Sequence, residues 1–313
     1  MSHRILILFC GLTLIVSWLL QWGLVAVYGS PNNPAAVPFA VAIMYEPALM
    51  TLAFAIFSPA VRRRIAWRPR LRMLEVMPVA ILVPTVIGFM MLAVVQGAGW
   101  GRSDMFDFAS SAVLVKSGPW VLGMGSQDWL SFLANVLLTG CLYAVISSLA
   151  AIGEELGWRG FLQGALLERL GPDRAITLLG VIWALWHLPA LLAGFNYPAN
   201  PVLGALVLFP LQLVAASYFL GWLTLRSGSF WAAAVAHGAV NSVMEAVASR
   251  MTLNVGHLHA DVVRVPVLLL VGALFRELLK HEIQTRATQP ANRRPAPSSA
   301  DVTERAVRRD VAG

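Results

Sequence analysis

The chain has 313 residues, of which 58% are hydrophobic and only 12% charged, against about 25% charged in an ordinary soluble domain. That deficit excludes a water-soluble domain and places the chain among polytopic membrane proteins. Neither the net charge of +7 nor the two cysteines, Cys10 and Cys141, points elsewhere: no nucleic-acid motif is visible, and two Cys in apolar stretches supply neither a disulfide framework nor a thiolate cage.

Apolar runs predict helical spans over about 5–28, 36–57, 76–96, 130–152, 174–193, 203–225, 229–249 and 263–279, most of them meeting the ~20 residues a span requires. The first run is too long for a signal peptide and reads as an uncleaved anchor. In the second, Glu46 precedes Pro47 and is read as a structural acid facing the bundle interior at a kink. Residues 97–129 are rich in Gly and Ser and read as an external loop, with Trp100, Trp120 and Trp129 suited to an interface. The last run is short, with Pro266 near its start. From Thr285 the composition turns to Pro, Ser, Ala and Arg, a tail expected to be disordered.

The fold this predicts is an all-α polytopic bundle of about eight transmembrane helices. Its parts are helices and loops over 1–128, a core over 129–250, a last helix within 251–284 and a tail over 285–313. With a cytoplasmic N-terminus and alternating spans, only Arg102, Lys116, Arg250 and Arg264 of the 23 Lys and Arg residues fall outside. That asymmetry puts both termini in the cytoplasm and explains the positive charge by topology and contact with the lipid bilayer. The Arg- and Ala-rich composition suggests a bacterial cytoplasmic membrane. No internal repeat is evident, which weighs against an inverted-repeat transporter.

Three polar islands interrupt this apolar chain: Glu154-Glu155-x-x-x-Arg159, Trp183-x-x-x-His187 and His237-x-x-x-Asn241. A charged side chain at a helix centre costs roughly 2.5–3.5 kcal/mol on insertion scales, so such clustering points to function. Glu155 and Arg159 stand at i,i+4 and are expected to pair, leaving Glu154, about 100° away around the helix, to face a reacting centre. Asn241 shares a face with His237, and Glu245, one turn further, is expected on that face as a supporting group. Gly160 and Gly164 form a Gly-x-x-x-Gly, a pattern frequent by chance.

In their order and internal spacing these islands resemble the CPBP family of intramembrane proteases, which includes type II CAAX prenyl endopeptidases and Abi-like bacteriocin-processing or self-immunity proteins. The resemblance covers about residues 130–250 and departs at Trp183, where Phe is frequent; that position is expected to supply an aromatic wall rather than a proton. It implies that Glu154 and His187 activate a water and that His237 and Asn241 bind the oxyanion. The substrate implied is a membrane-associated protein or peptide cut near its end, with no nucleic-acid partner. A second arrangement uses zinc on Glu154, His187 and His237; the cofactor is therefore zinc or none. Competing readings are a proton-coupled transporter with Glu154, His187, His237 and Glu245 as a relay, and a non-catalytic immunity protein of the same fold.

The topology predicts that a cysteine placed at position 66 is shielded from an impermeant thiol reagent in intact cells while one at position 110 is labelled. Labelling with the reverse pattern would invert the orientation.

Overall fold

The structure, a computed structural model, describes residues 2–256 and 258–288. Helix α1 (His3–Tyr28) leads through a 3-10 turn into α2 (Val37–Met44) and α3 (Glu46–Phe57), separated at Tyr45, and then a single turn, α4 (Pro59–Arg62). Helix α5 (Met73–Gly97) is followed by strands β1 (Gly101–Ser103), β2 (Phe106–Phe108), β3 (Ala112–Val115) and β4 (Gly125–Asp128). Helix α6 (Trp129–Gly157) passes through a π turn at Trp158–Leu162 into α7 (Gln163–Trp186) and α8 (Leu188–Leu192). A short turn α9 (Pro201–Leu203), a π turn at Gly204–Leu208 and α10 (Phe209–Ser227) come next. The chain closes with α11 (Trp231–Ala239), a π turn at Val240–Met244, α12 (Glu245–Ser249), β5 (Met251–Leu253) and α13 (Leu258–Thr288).

The all-α membrane class stands. Among the described residues five helical stretches are long and apolar enough to cross a membrane: His3–Tyr28, Pro34–Phe57, Met73–Gly97, Trp129–Trp186 and Pro201–Ser227. Trp231–Ser249 is not among them, being interrupted by His237, Asn241, Ser242 and Glu245, and α13 carries Arg, Glu, Lys and His through its second half. The boundary between the fourth and fifth expected spans also moves. Helix persists past 152 to Leu170, and Glu154, Glu155 and Arg159 within the added stretch are buried. The turn comes at Gly171, whose φ of 68° and ψ of 170° suit glycine alone, with Pro172 next. Helix α13 runs to Thr288, beyond the expected start of the tail; the rest of that tail lies outside the described residues.

The loop over 97–129 is ordered into strands that sequence reading missed. Strands β2, β3 and β4 form an antiparallel sheet, with Phe106 opposite Val115 and Val113 opposite Gln127, and β1 pairs with β5. Val113 and Val115 point into a core with Phe106, Trp120 and Phe132, while Leu114 between them is exposed, the alternation a one-sided sheet requires. Asp128 ends this sheet and starts α6. The Ser131 hydroxyl, with the backbone N–H groups of Ser131 and Leu130, donates to the Asp128 carboxylate and holds its pKa below the ordinary value.

The chain forms two compact units. One comprises the described residues up to Val76, Ala150–Ala233 and those from Leu268 onward; the other comprises Met77–Leu149 and Ala234–Val267. The expected core over 129–250 is therefore divided between them. In the first unit, α6 meets the α2–α3 junction at two glycines flanking the acidic pair. A Cβ on Gly153 would lie 2.5 Å from the Met44 carbonyl oxygen, and one on Gly157 would lie 2.6 Å from Pro47 Cβ. Gly153 and Gly157, rather than Gly160 and Gly164, are thus the small pair that permits close helix approach there.

Because backbone cannot yield as a flexible side chain does, Gly153→Ala should cost about 1–3 kcal/mol and lower the thermal midpoint in detergent. Gly11→Ala, with nothing within 4 Å of its added carbon, should be neutral or slightly stabilising. Equal midpoints for the two variants would refute the close contact.

Candidate active site

The acidic pair lies at the end of α6, just before the π turn at Trp158–Leu162. Single π turns recur at functional sites because the extra residue re-aims side chains. Here the turn contains Arg159, and Glu154, Glu155 and Arg159 are all buried. Arg159 Nη1 donates to Glu155 Oε1 at 3.0 Å, as its spacing predicted, with both side chains fully enclosed. The guanidinium is used twice more: Nη2 donates to Ser217 Oγ at 3.1 Å, and its carbon sits 4.2 Å from the centre of the Trp183 ring. Glu154 turns the other way, toward α7.

There it meets Trp183, whose indole Nε1–H donates to Glu154 Oε2 at 2.6 Å. This corrects the expectation that position 183 supplies only an aromatic wall. An indole has a donor that a phenyl ring lacks, so the departure from Phe brings a charge-assisted hydrogen bond with it. The same residue holds the histidine: the Trp183 backbone carbonyl lies 2.9 Å from His187 Nδ1. A carbonyl only accepts, so Nδ1 carries the proton and the lone pair of the neutral ring sits on Nε2. The ring is wedged between Trp186, with centroids 4.6 Å apart, and Phe209 at 5.0 Å, both edge-to-face.

His187 does not stand inside a continuous span as expected. It is the residue at which α7 ends, with φ −85° and ψ −4°, and α8 starts beyond it. Pro189, two residues on, is the sequence signal for this break, since it has no N–H to continue the ladder. Glu46 proves to be a neighbour of the site: it is buried, and its Oε2 accepts from Trp186 Nε1 at 3.0 Å. No spacing rule could have joined residues so far apart in the chain.

The second unit holds the third island. His237 is buried, on the last turns of α11. The following residue, Gly238, packs so closely on α6 that a Cβ there would overlap Ala144 and Ser147 backbone. Asn241 is exposed and lies in the π turn at Val240–Met244, whose i→i+5 bonding alters the spacing on which the shared face of His237, Asn241 and Glu245 was expected. Glu245 is engaged elsewhere, its Oε2 accepting from Arg264 Nη2 at 3.1 Å. Arg264 is a cation that the topology had counted as external.

Residues 138–243 match the family model described as type II CAAX prenyl endopeptidase Rce1-like. They include Glu154, Glu155, Arg159, Trp183, His187, His237 and Asn241 and leave out Glu46 and Glu245. Over 104 residues the chain is 31% identical to CAAX prenyl protease 2 of Methanococcus maripaludis, a match covering 32% of this chain and 38% of that relative. Through this region the chain is similar to the type II CAAX prenyl endopeptidases. The matched part spans well under half of the relative's length, and it supports a CAAX-type protease at the level of the family. Among the described residues, no three or more His, Cys, Asp or Glu side chains are gathered to hold a metal ion. Of the zinc set expected above, Glu154 and His187 lie in the first unit and His237 in the second.

Two substitutions test this geometry. Trp183→Phe keeps the ring and removes the donor to Glu154; a hydrogen bond to a charged group is worth about 1.5–3 kcal/mol, so activity should fall roughly 10- to 100-fold in a folded protein. Arg159→Met should strand the enclosed Glu155 carboxylate, and removing one partner of a buried pair costs about 3–5 kcal/mol, measurable as a lower thermal midpoint. A fully active Trp183→Phe variant would return that residue to a purely packing role.

Proposed function

We propose that the chain is an intramembrane endopeptidase that hydrolyses a peptide bond near the end of a membrane-associated protein or peptide, with Glu154 and His187 activating water. The observation that carries this reading is the double use of Trp183. Its indole N–H fixes one oxygen of Glu154, and its backbone carbonyl fixes the Nδ1 proton of His187. One residue thus orients both the candidate base and the candidate histidine, the pre-organisation that general-base chemistry needs.

The reaction follows from those groups. Glu154 Oε1 takes a proton as water adds to the peptide carbonyl carbon, and His187 Nε2 orients that water. The carbonyl oxygen becomes an oxyanion. On the strength of the ordered motifs, His237 and Asn241 are assigned to stabilise it; removing a single such donor from a dry site costs about 2.7–4 kcal/mol. The tetrahedral intermediate collapses as the proton held by Glu154 passes to the departing amine, regenerating the carboxylate. The name of the relative, CAAX prenyl protease 2, supports a protein or peptide substrate, and a membrane-associated chain is the substrate class assigned here. Both termini of the protein are assigned to the cytoplasm from the distribution of Arg and Lys, and the membrane to a bacterial cell from the Arg- and Ala-rich composition.

Membrane peptides from cells making the wild-type protein or its Glu154→Gln variant provide the test. The variant should lose about 10²–10⁴-fold in cleavage while remaining folded in detergent, and uncleaved precursors should accumulate. Cleavage at the wild-type rate by Glu154→Gln would remove Glu154 as the base. Stoichiometric zinc in the purified protein, with activity lost to chelators and restored by zinc, would make Glu154 a ligand instead.

A further inference from the structure

A helix ending inside a bundle leaves its last four carbonyl groups without intrahelical partners. At the end of α7 these belong to Trp183, Ala184, Leu185 and Trp186, and each is satisfied in a different way. The Trp183 oxygen is met by the His187 ring and the Ala184 oxygen by the His187 N–H at 3.1 Å. The other two are met from α1, outside the region that matches the protease family. Trp18 Nε1 donates to the Leu185 oxygen at 2.8 Å, replacing the N–H that Pro189 lacks. Gln21 Nε2 donates to the Trp186 oxygen at 2.6 Å, while Gln21 Oε1 accepts from the Ala190 N–H at 3.1 Å.

That last pair is the unusual one. Trp186 C=O and Ala190 N–H are i and i+4, natural partners in a continuous helix, and proline at 189 does not remove either of them. The Gln21 amide occupies the rung between them, donating to one and accepting from the other. Normal pairing resumes with the Leu191 N–H on the His187 oxygen at 3.0 Å. Ser17 buttresses the insert: its hydroxyl accepts from Gln21 Nε2 at 2.6 Å and lies 3.3 Å from the Trp186 oxygen. Gln21 and Ser17 are both buried.

We propose that Gln21 is a positioning residue for His187: its amide is wedged into the Trp186–Ala190 backbone rung, holds the helix open at the histidine and so fixes the ring on the Trp183 carbonyl. Without the wedge the rung closes, α7 rewinds toward α8, and the histidine turns away from its place beside Trp183. The catalytic consequence rests on the proposed role of His187; the structural consequence does not.

The test uses the full-length protein in detergent with ¹⁵N-labelled histidine, the His187 imidazole signal being assigned by its loss in His187→Gln. In the wild type that signal should show a protonated Nδ1 and an unprotonated Nε2. Gln21→Asn keeps a polar amide for folding, but its shorter arm cannot span both backbone groups. It should shift the His187 signal toward mixed tautomers, and lower kcat about 10- to 100-fold, as expected for a misplaced catalytic group, with KM within about twofold. Gln21→Glu keeps the length of the arm, and its protonated carboxyl offers one donor for the Trp186 oxygen and an acceptor for the Ala190 N–H, so it should restore both. An unchanged His187 signal in Gln21→Asn, or a Gln21→Glu variant no better than it, would overturn the proposal. If Glu154→Gln proved fully active, the protease reading would fail, while the imidazole signal would still decide the role of Gln21.

Discussion

Hydrocarbon offers no water, so each carbonyl, amide and charge placed within it must find its partner inside the protein. The break of α7 at His187 concentrates that constraint at one point. Proline at 189 removes a donor, the chain turns, and carbonyl groups that would be hydrated in a soluble protein are met by Trp18, Gln21 and the histidine's own ring. At the bend, where His187 lies alongside Phe209 and Trp186, α1 supplies two of those donors, Trp18 and Gln21. A first helix that might pass for a mere anchor is part of the framework of the site.

The enclosed Glu155–Arg159 pair obeys the same rule at higher stakes. At 3.0 Å and an effective dielectric near 20, the Coulomb attraction is roughly 5 kcal/mol, while burying each ion costs several kcal/mol. The pair by itself is close to break-even. What tips it is the further use of the guanidinium, on Ser217 and over the Trp183 face. Its structural consequence is to hold the π turn and Trp183 together, so that Trp183 can in turn hold Glu154. Ion pair, indole and carboxylate form one chain of dependence.

The close approach of helices completes the arrangement. Gly153 and Gly157 bracket the acidic pair and let α6 touch the α2–α3 junction, which is where Glu46 reaches Trp186. Gly180 does the same for α7 against Val214 of α10, the helix that carries Ser217. Small residues beside the polar ones are thus what allow buried groups on separate helices to come within hydrogen-bonding distance.

Much of this was legible in the residues. Low charge and long apolar runs determined the membrane class, and the three islands in order indicated the protease family and the candidate residues. The Glu155–Arg159 pair followed from i,i+4 spacing alone. Such inferences succeed because a helix fixes its own near neighbours: what lies one turn away is set by local geometry, whatever the rest of the chain does. Partners remote in sequence have no such rule. The indole bond from Trp183 to Glu154, the Glu245–Arg264 pair, the sheet formed within 97–129 and the Gln21 wedge at Trp186 all join groups brought together by packing. The sequence by itself determined which polar groups must be buried and with what chemistry. Only the tertiary structure decided which partner satisfies each, because that choice depends on how closely helices approach and where their hydrogen-bond ladders break.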